Sequence, residues 1–131
     1  MIDREKNICR STLDRITIRE LKARTFVGFN DWEQEKKQEV SITIALHADL
    51  TVACHSDKVE DTIDYKIIKN RVLTFVENNR FNLIEKMSED IAKLCLENTQ
   101  IEIVEVTVNK GSALRFADSV ETNIIRYKKH V

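Results

Sequence analysis

The segment from Val40 to Leu50 constrains the fold more than any other. Val40, Ile42, Ile44, Leu46, Ala48 and Leu50 alternate with Ser41, Thr43, Ala45, His47 and Asp49. Successive side chains of a strand point to opposite faces, so this alternation predicts a long strand with one apolar face. Its second face is polar but almost uncharged. Strand patterns also lie on either side. Ile16 and Ile18 alternate with polar neighbours, then Leu21, Ala23, Thr25 and Val27 continue on the opposite parity. A phase shift of one residue predicts a single long strand with a β-bulge near Glu20, ended by Gly28. Near the C-terminus, Ile101, Ile103, Val104, Val106 and Val108 again change phase. A loop over 110–118 then leads to a last strand through Val120, Thr122 and Ile124.

Between these strands the period changes. Ile67, Ile68, Val72, Phe75 and Val76 fall on one helical face, and so do Leu83, Ile84, Met87, Ile91, Leu94 and Cys95. Asn82, with Glu85 three residues on, predicts a capping box at the start of the second helix. Two hairpins flanking a helix pair make an α+β, two-layer ββααββ unit: a four-stranded antiparallel sheet with two helices on one face. Residues 1–12 are polar and aperiodic and are predicted to be an unordered extension, leaving 13–131 as a single domain, which suits 131 residues. The other sheet face, with Ser41, Thr43, Thr107 and Asn123, is too polar for a core and too poor in Lys and Glu for an open surface. Such a face fits a water-filled channel built by several subunits, whose proline-free sheet edges pair with one another. A homo-oligomer is therefore expected.

Composition removes several classes of function. Gly28 and Gly111 are the two glycines, so no glycine-rich phosphate loop or nucleophile elbow can be written. Lys and Arg number 21 against 22 Asp and Glu, and no nucleic-acid or membrane-surface field is expected from that balance. No apolar run approaches the roughly 18 residues of a membrane helix, and the N-terminal stretch lacks the apolar core of a secretory signal. Cys9, Cys54 and Cys95 are odd in number and widely spaced, which predicts free thiols in a reducing compartment and a soluble, cytoplasmic protein. His47, His55 and His130 form no metal-ligand pattern, so no metal is expected.

Four reactive side chains stand at predicted element boundaries, where sites are commonly built. They are Glu33 in Gly28-Phe-Asn-Asp-Trp-Glu, Tyr65 in Asp61-Thr-Ile-Asp-Tyr, Glu85 in Asn82-Leu-Ile-Glu and Lys110 in Val108-Asn-Lys-Gly. Each has an ordinary structural explanation when taken alone. Glu33 and Glu85 each follow an Asn by three residues and can complete a helix cap; Tyr65 can open an amphipathic helix; Lys110 can be a solvated turn lysine.

In this order, however, the blocks resemble the dihydroneopterin aldolase and epimerase family. The resemblance is carried by Phe75-Val-Glu-Asn-Asn-Arg-Phe-Asn-Leu-Ile-Glu-Lys, by Lys110-Gly-Ser-Ala-Leu-Arg-Phe-Ala-Asp-Ser-Val, and by the Glu33 block with Gln38 and the Tyr65 block. It runs from about Leu13 to Tyr127. It implies the tunnelling fold, in which ββααββ subunits join into a ring whose strands form one barrel, as a tetramer or as an octamer of two stacked rings. It also implies a small-molecule pterin substrate and chemistry that needs no cofactor. A 7,8-dihydropterin has a C6=N5 imine that accepts electrons when the 2′-hydroxyl is deprotonated and the C1′–C2′ bond breaks. Re-addition to the other aldehyde face gives the 2′-epimer of dihydroneopterin triphosphate; release of the aldehyde gives the aldolase products, 6-hydroxymethyl-7,8-dihydropterin and glycolaldehyde.

By the same resemblance, Glu85, with Ile84 beside it, binds the pterin's 2-amino and N3–H edge. Lys110 is the general base, Tyr65 of a neighbouring subunit relays protons, and Glu33 orients water or side-chain hydroxyls. Many aldolase members follow the lysine with a proline-rich loop, whereas this chain reads Ala113-Leu-Arg-Phe-Ala-Asp-Ser-Val120 as epimerase members do. A triphosphate also requires cations, for which Arg115 is the first candidate and Lys36, Lys37 and Arg80 are others. A pterin-binding module without turnover is a further alternative.

Overall fold

Alternation in the sequence becomes burial on one face of a sheet. The computed structural model describes residues 2–3, 8–9, 13–111 and 114–129, the first two pairs by backbone alone. Two short strands, β1 (Ile2–Asp3) and β2 (Ile8–Cys9), pair antiparallel. The expectation of an unordered extension over 1–12 therefore gives way at these four residues, whose ladder is too short to leave a periodic signal. The rest of 1–12 lies outside the described residues.

The main sheet comprises β3 (Asp14–Val27), β4 (Gln38–Ala48), β5 (Arg80–Phe81), β6 (Ile103–Gly111) and β7 (Ser119–Tyr127), in the order β5-β3-β4-β6-β7. Four of these are the expected antiparallel strands. The fifth, β5, runs parallel to β3 through Phe26 and Val27 and corrects the four-stranded expectation. With two residues, it carries no alternation to read. On β4, Val40, Ile42, Ile44, Leu46 and Ala48 are buried, and burial of each larger aliphatic side chain contributes about 1.5–3 kcal/mol. The predicted bulge is present. Pairing of β3 with β4 slips between Ile18 and Leu21, and Glu20 takes a left-handed φ of 54°. By contrast β6 pairs without interruption. Its apparent phase shift arises because Ile103 lies on the outer face, paired with His47, whereas Ile101 enters the core before the strand begins.

Two helices cover the inner face. α3 (Tyr65–Glu77) buries Ile68, Val72 and Val76, spaced four apart, and starts at Asp64, whose carboxylate accepts the Lys66 N–H at 3.1 Å. α4 (Ile84–Leu96) buries Ile84, Met87, Ser88, Ile91, Ala92 and Cys95. Its N-cap is Leu83, with no side-chain cap, so the expected capping box from Asn82 does not form. Two members of the predicted helical faces, Ile67 and Leu83, point outward. Two short helices, α1 (Asp31–Glu35) and α2 (Thr51–Ser56), occupy connections too brief to show a helical period.

Buried hydroxyls tie the layers together. Thr25 Oγ1 lies 2.7 Å from the Val76 carbonyl and 2.9 Å from that of Asn79, where α3 ends. Ser88 Oγ lies 2.8 Å from the Ile84 carbonyl and 2.6 Å from Thr122 Oγ1 of β7. Burial pushes the Cys95 thiol up to about 12, so it stays protonated, whereas Cys54 is exposed. Among the described residues, no helix is long and apolar enough to cross a membrane.

Candidate active site

The chain leaves β3 through Gly28, and this glycine is required. Its φ of +126° disfavours an L side chain, and a Cβ there would fall on the Glu33 carboxyl group. The Gly28 N–H donates to the Phe81 carbonyl at 2.9 Å, anchoring the turn to β5. Asn30, in extended backbone, caps α1, and Glu33 occupies the third position of that helix.

Glu33 is only 4% exposed, yet its carboxylate is fully engaged. Asn30 donates to Oε1 from its side chain at 2.8 Å and from its backbone at 3.4 Å. Gln38 Nε2 donates to Oε2 at 3.3 Å and also to the Val27 carbonyl at 2.8 Å. The Lys110 ammonium completes the set with a short contact to Oε2. Lys110 comes from the inner-face parity of β6, following Val104, Val106 and Val108, and is 8% exposed. A buried ion pair at the end of an apolar strand face is expensive in desolvation unless each charge is also hydrogen-bonded. For Glu33 that condition is met.

The electrostatics follow from these contacts. Burial pushes the Glu33 carboxyl up, but hydrogen bonds from Lys110, Gln38 and Asn30 outweigh it, and the pKa lies below its ordinary 4.5. The stability from this shift is complete above the unfolded value and is lost as pH falls through the lower folded value. In a comparison of thermal midpoints across pH 3–7, Glu33→Gln should lose more stability at pH 7 than at pH 3. An equal loss at both ends would show that the carboxylate's charge contributes nothing.

The pair opens onto a cleft of about 380 Å³, within the range of small-molecule sites. Val27, Ile84, Leu114 and Val120 form apolar walls, while Asn82 and Glu85 add polar groups. Phe29 and Trp32 stand exposed at the rim. Of the six residues predicted for the site, Glu33, Ile84, Glu85 and Lys110 therefore converge here. Tyr65 and Arg115 do not line this cleft. Tyr65 is 52% exposed at the start of α3, and the Arg115 guanidinium lies 4.9 Å from the Phe116 ring centroid. Asn30 and Gln38 hold Glu33; the sequence offered Asn30 as a possible helix cap and Gln38 only as part of the Glu33 block. Asn30 was detectable as a residue three before a glutamate at a helix start; Gln38 left no periodic signal. A wider groove of about 910 Å³ near the end of β7 contains the Arg126–Glu89 ion pair at 3.0 Å, which ties strand to helix.

The two-layer α+β architecture, shared with solved relatives, is of the tunnelling-fold class. The chain belongs to the dihydroneopterin aldolase family, FolB, whose pattern matches residues 16–125. It is 33% identical to dihydroneopterin triphosphate 2′-epimerase of Escherichia coli K12 over 109 residues, 83% of this chain and 91% of the relative. It is 37% identical to dihydroneopterin aldolase of Streptomyces coelicolor over 117 residues, 87% of this chain and 98% of the relative. The crystal structure of E. coli dihydroneopterin aldolase in complex with neopterin superposes with a TM-score of 0.83 at 33% identity, covering 86% of this chain and 98% of the other.

Proposed function

We propose that this protein epimerises the side chain of 7,8-dihydroneopterin triphosphate at C2′ by retro-aldol and aldol steps. The observation that carries the reading is the buried Lys110–Glu33 pair opening onto the same cleft as Glu85. Glu85 lies at the start of α4 with its side chain on the cleft wall, where a carboxylate suits the paired N–H donors of a pterin edge. Ile84 supplies an apolar surface beside it. Lys110 first releases its ammonium proton to water in the cleft; the amine then takes the 2′-hydroxyl proton, directly or through a water, as the C1′–C2′ electrons move into the substrate's imine. Glu33 stays anionic and aims Nζ rather than receiving the proton. When the aldehyde rotates and re-adds, the proton returns to its oxygen and the epimer forms.

Tyr65 serves the cleft of a second copy in this reading, so the working enzyme is a homo-oligomer. The proline-free segment after Lys110 favours epimerase, whereas the Streptomyces relative named as an aldolase keeps cleavage as the second reading.

Incubation with dihydroneopterin triphosphate and, separately, dihydroneopterin tests the choice, with products resolved by chromatography. The 2′-epimer of the triphosphate is the expected main product; glycolaldehyde from dihydroneopterin as the faster reaction would reverse the assignment. Glu85→Ala should raise KM by about 10- to 100-fold, the scale of a lost charge-assisted contact. An unchanged KM would remove Glu85 from pterin binding.

A further inference from the structure

Arg115, the first cation named for a triphosphate, does not line the reactive cleft. A second group of cations lies on the other side of Glu33. β5 pairs in parallel with β3 so that Arg80 stands beside Phe26 and Phe81 beside Val27. Phe81 and Val27 are buried in the core, so strand parity turns Arg80 and Phe26 to the opposite, outer face. There the Arg80 guanidinium stacks over the Phe26 ring, 3.8 Å from its centroid, and Nη1 donates to the Gln34 carbonyl at 3.0 Å. Lys37 Nζ lies 5.9 Å from the same centroid. Arg24 Nη2 reaches the Lys37 carbonyl at 3.3 Å, adding a third cation, although Glu39 faces Arg24 across the strands.

Among the described residues, neither Arg80 nor Lys37 forms a salt bridge. Arg80 also lines a small cleft of about 240 Å³, which shares Gly28, Glu33 and Asn82 with the reactive cleft. The two clefts therefore adjoin at these three residues, which places Arg80 next to the wall of the reactive cleft. Stacking and the carbonyl bond hold the guanidinium in one orientation while other N–H groups remain for a ligand. That arrangement suits bidentate contact with phosphate oxygens.

We propose that Arg80 and Lys37, arranged around Phe26, form a subsite for the phosphate groups of a phosphorylated substrate side chain. The assignment rests on the reading that the adjoining cleft holds a dihydropterin. Calorimetric titration of the full chain with inorganic tripolyphosphate at low salt probes the subsite without any pterin. Arg80→Gln should weaken that binding by about 10- to 100-fold, with Lys37→Gln weaker than wild type and Arg80→Lys intermediate between Gln and wild type. In turnover, Arg80→Gln should raise KM for dihydroneopterin triphosphate by a similar factor and leave unphosphorylated dihydroneopterin within about twofold. Absence of tripolyphosphate binding by the wild-type chain overturns the subsite. So does equal binding by Arg80→Gln, or an equal effect on both pterins. If Arg80 governs tripolyphosphate binding but the wild type converts neither pterin, the subsite stands and the catalytic reading falls.

Discussion

Lys110→Ala should abolish turnover, lowering kcat by about 10²- to 10⁴-fold, the usual contribution of a positioned general base. The side chain projects from the inner face of β6 into a cleft end where its Nζ meets Glu33. No other lysine lines that cleft among the described residues, so none is placed to replace it. Glu33 would keep its bonds from Asn30 and Gln38, which favours a folded variant. Lys110→Met restores the apolar bulk without the amine and should be equally inactive. Circular dichroism and thermal melts establish folding for both. A folded Lys110→Ala variant with wild-type kcat would sink the mechanism. The lysine variant also tests the shared site. If Tyr65 acts in a neighbour's cleft, mixing Lys110→Ala with Tyr65→Phe subunits should regenerate activity that neither has alone.

Gly28→Ala should be the most damaging substitution outside the reacting groups. The new methyl requires the positive φ that an L residue resists, a strain of about 1–3 kcal/mol. It also enters the space of the Glu33 carboxylate. Relief by moving Glu33 would break its bonds to Asn30, Gln38 and Lys110 together; relief by rotating the backbone would break the Gly28–Phe81 bond. The thermal midpoint should fall by several degrees, since each kcal/mol corresponds to roughly 3–6 °C in a domain of this size. Turnover should fall by at least about tenfold even below the melting range, because Nζ loses the carboxylate that aims it. Wild-type turnover in this variant would show that Glu33 need not hold its observed place.

The same local pattern had two outcomes in this chain, which shows where sequence reading is reliable. Asn followed three residues later by Glu occurs at Asn30–Glu33 and at Asn82–Glu85. In the first, the glutamate folds back onto Asn30 and also meets Lys110. In the second, the N-cap falls one residue later, on Leu83, and both Asn82 and Glu85 line the cleft. Local spacing makes a cap possible; which residue takes the extended backbone conformation depends on how the helix docks its apolar stripe. Long elements were legible because many residues repeat one requirement. The bulge at Glu20 was read from a parity change sustained on both sides. β5, α1 and α2 were not legible, since two to six residues contain less than two turns or one full alternation.

What the sequence alone determined is the pair of periods: two over the long strands and near 3.6 over the helices. These decide which side chains leave water, and hence the two-layer arrangement with a polar outer face. It also singled out Glu33, Tyr65, Glu85 and Lys110 as residues with chemistry to offer. Only the tertiary structure decided that Glu33 and Lys110, 77 residues apart, share a proton-bearing contact, that Gly28 must lack a side chain for them to meet, and that Arg80 shares a small cleft with Glu33. No periodicity encodes those meetings. They depend on where separate elements end when their apolar faces are packed on one core, and that is a property of the whole chain.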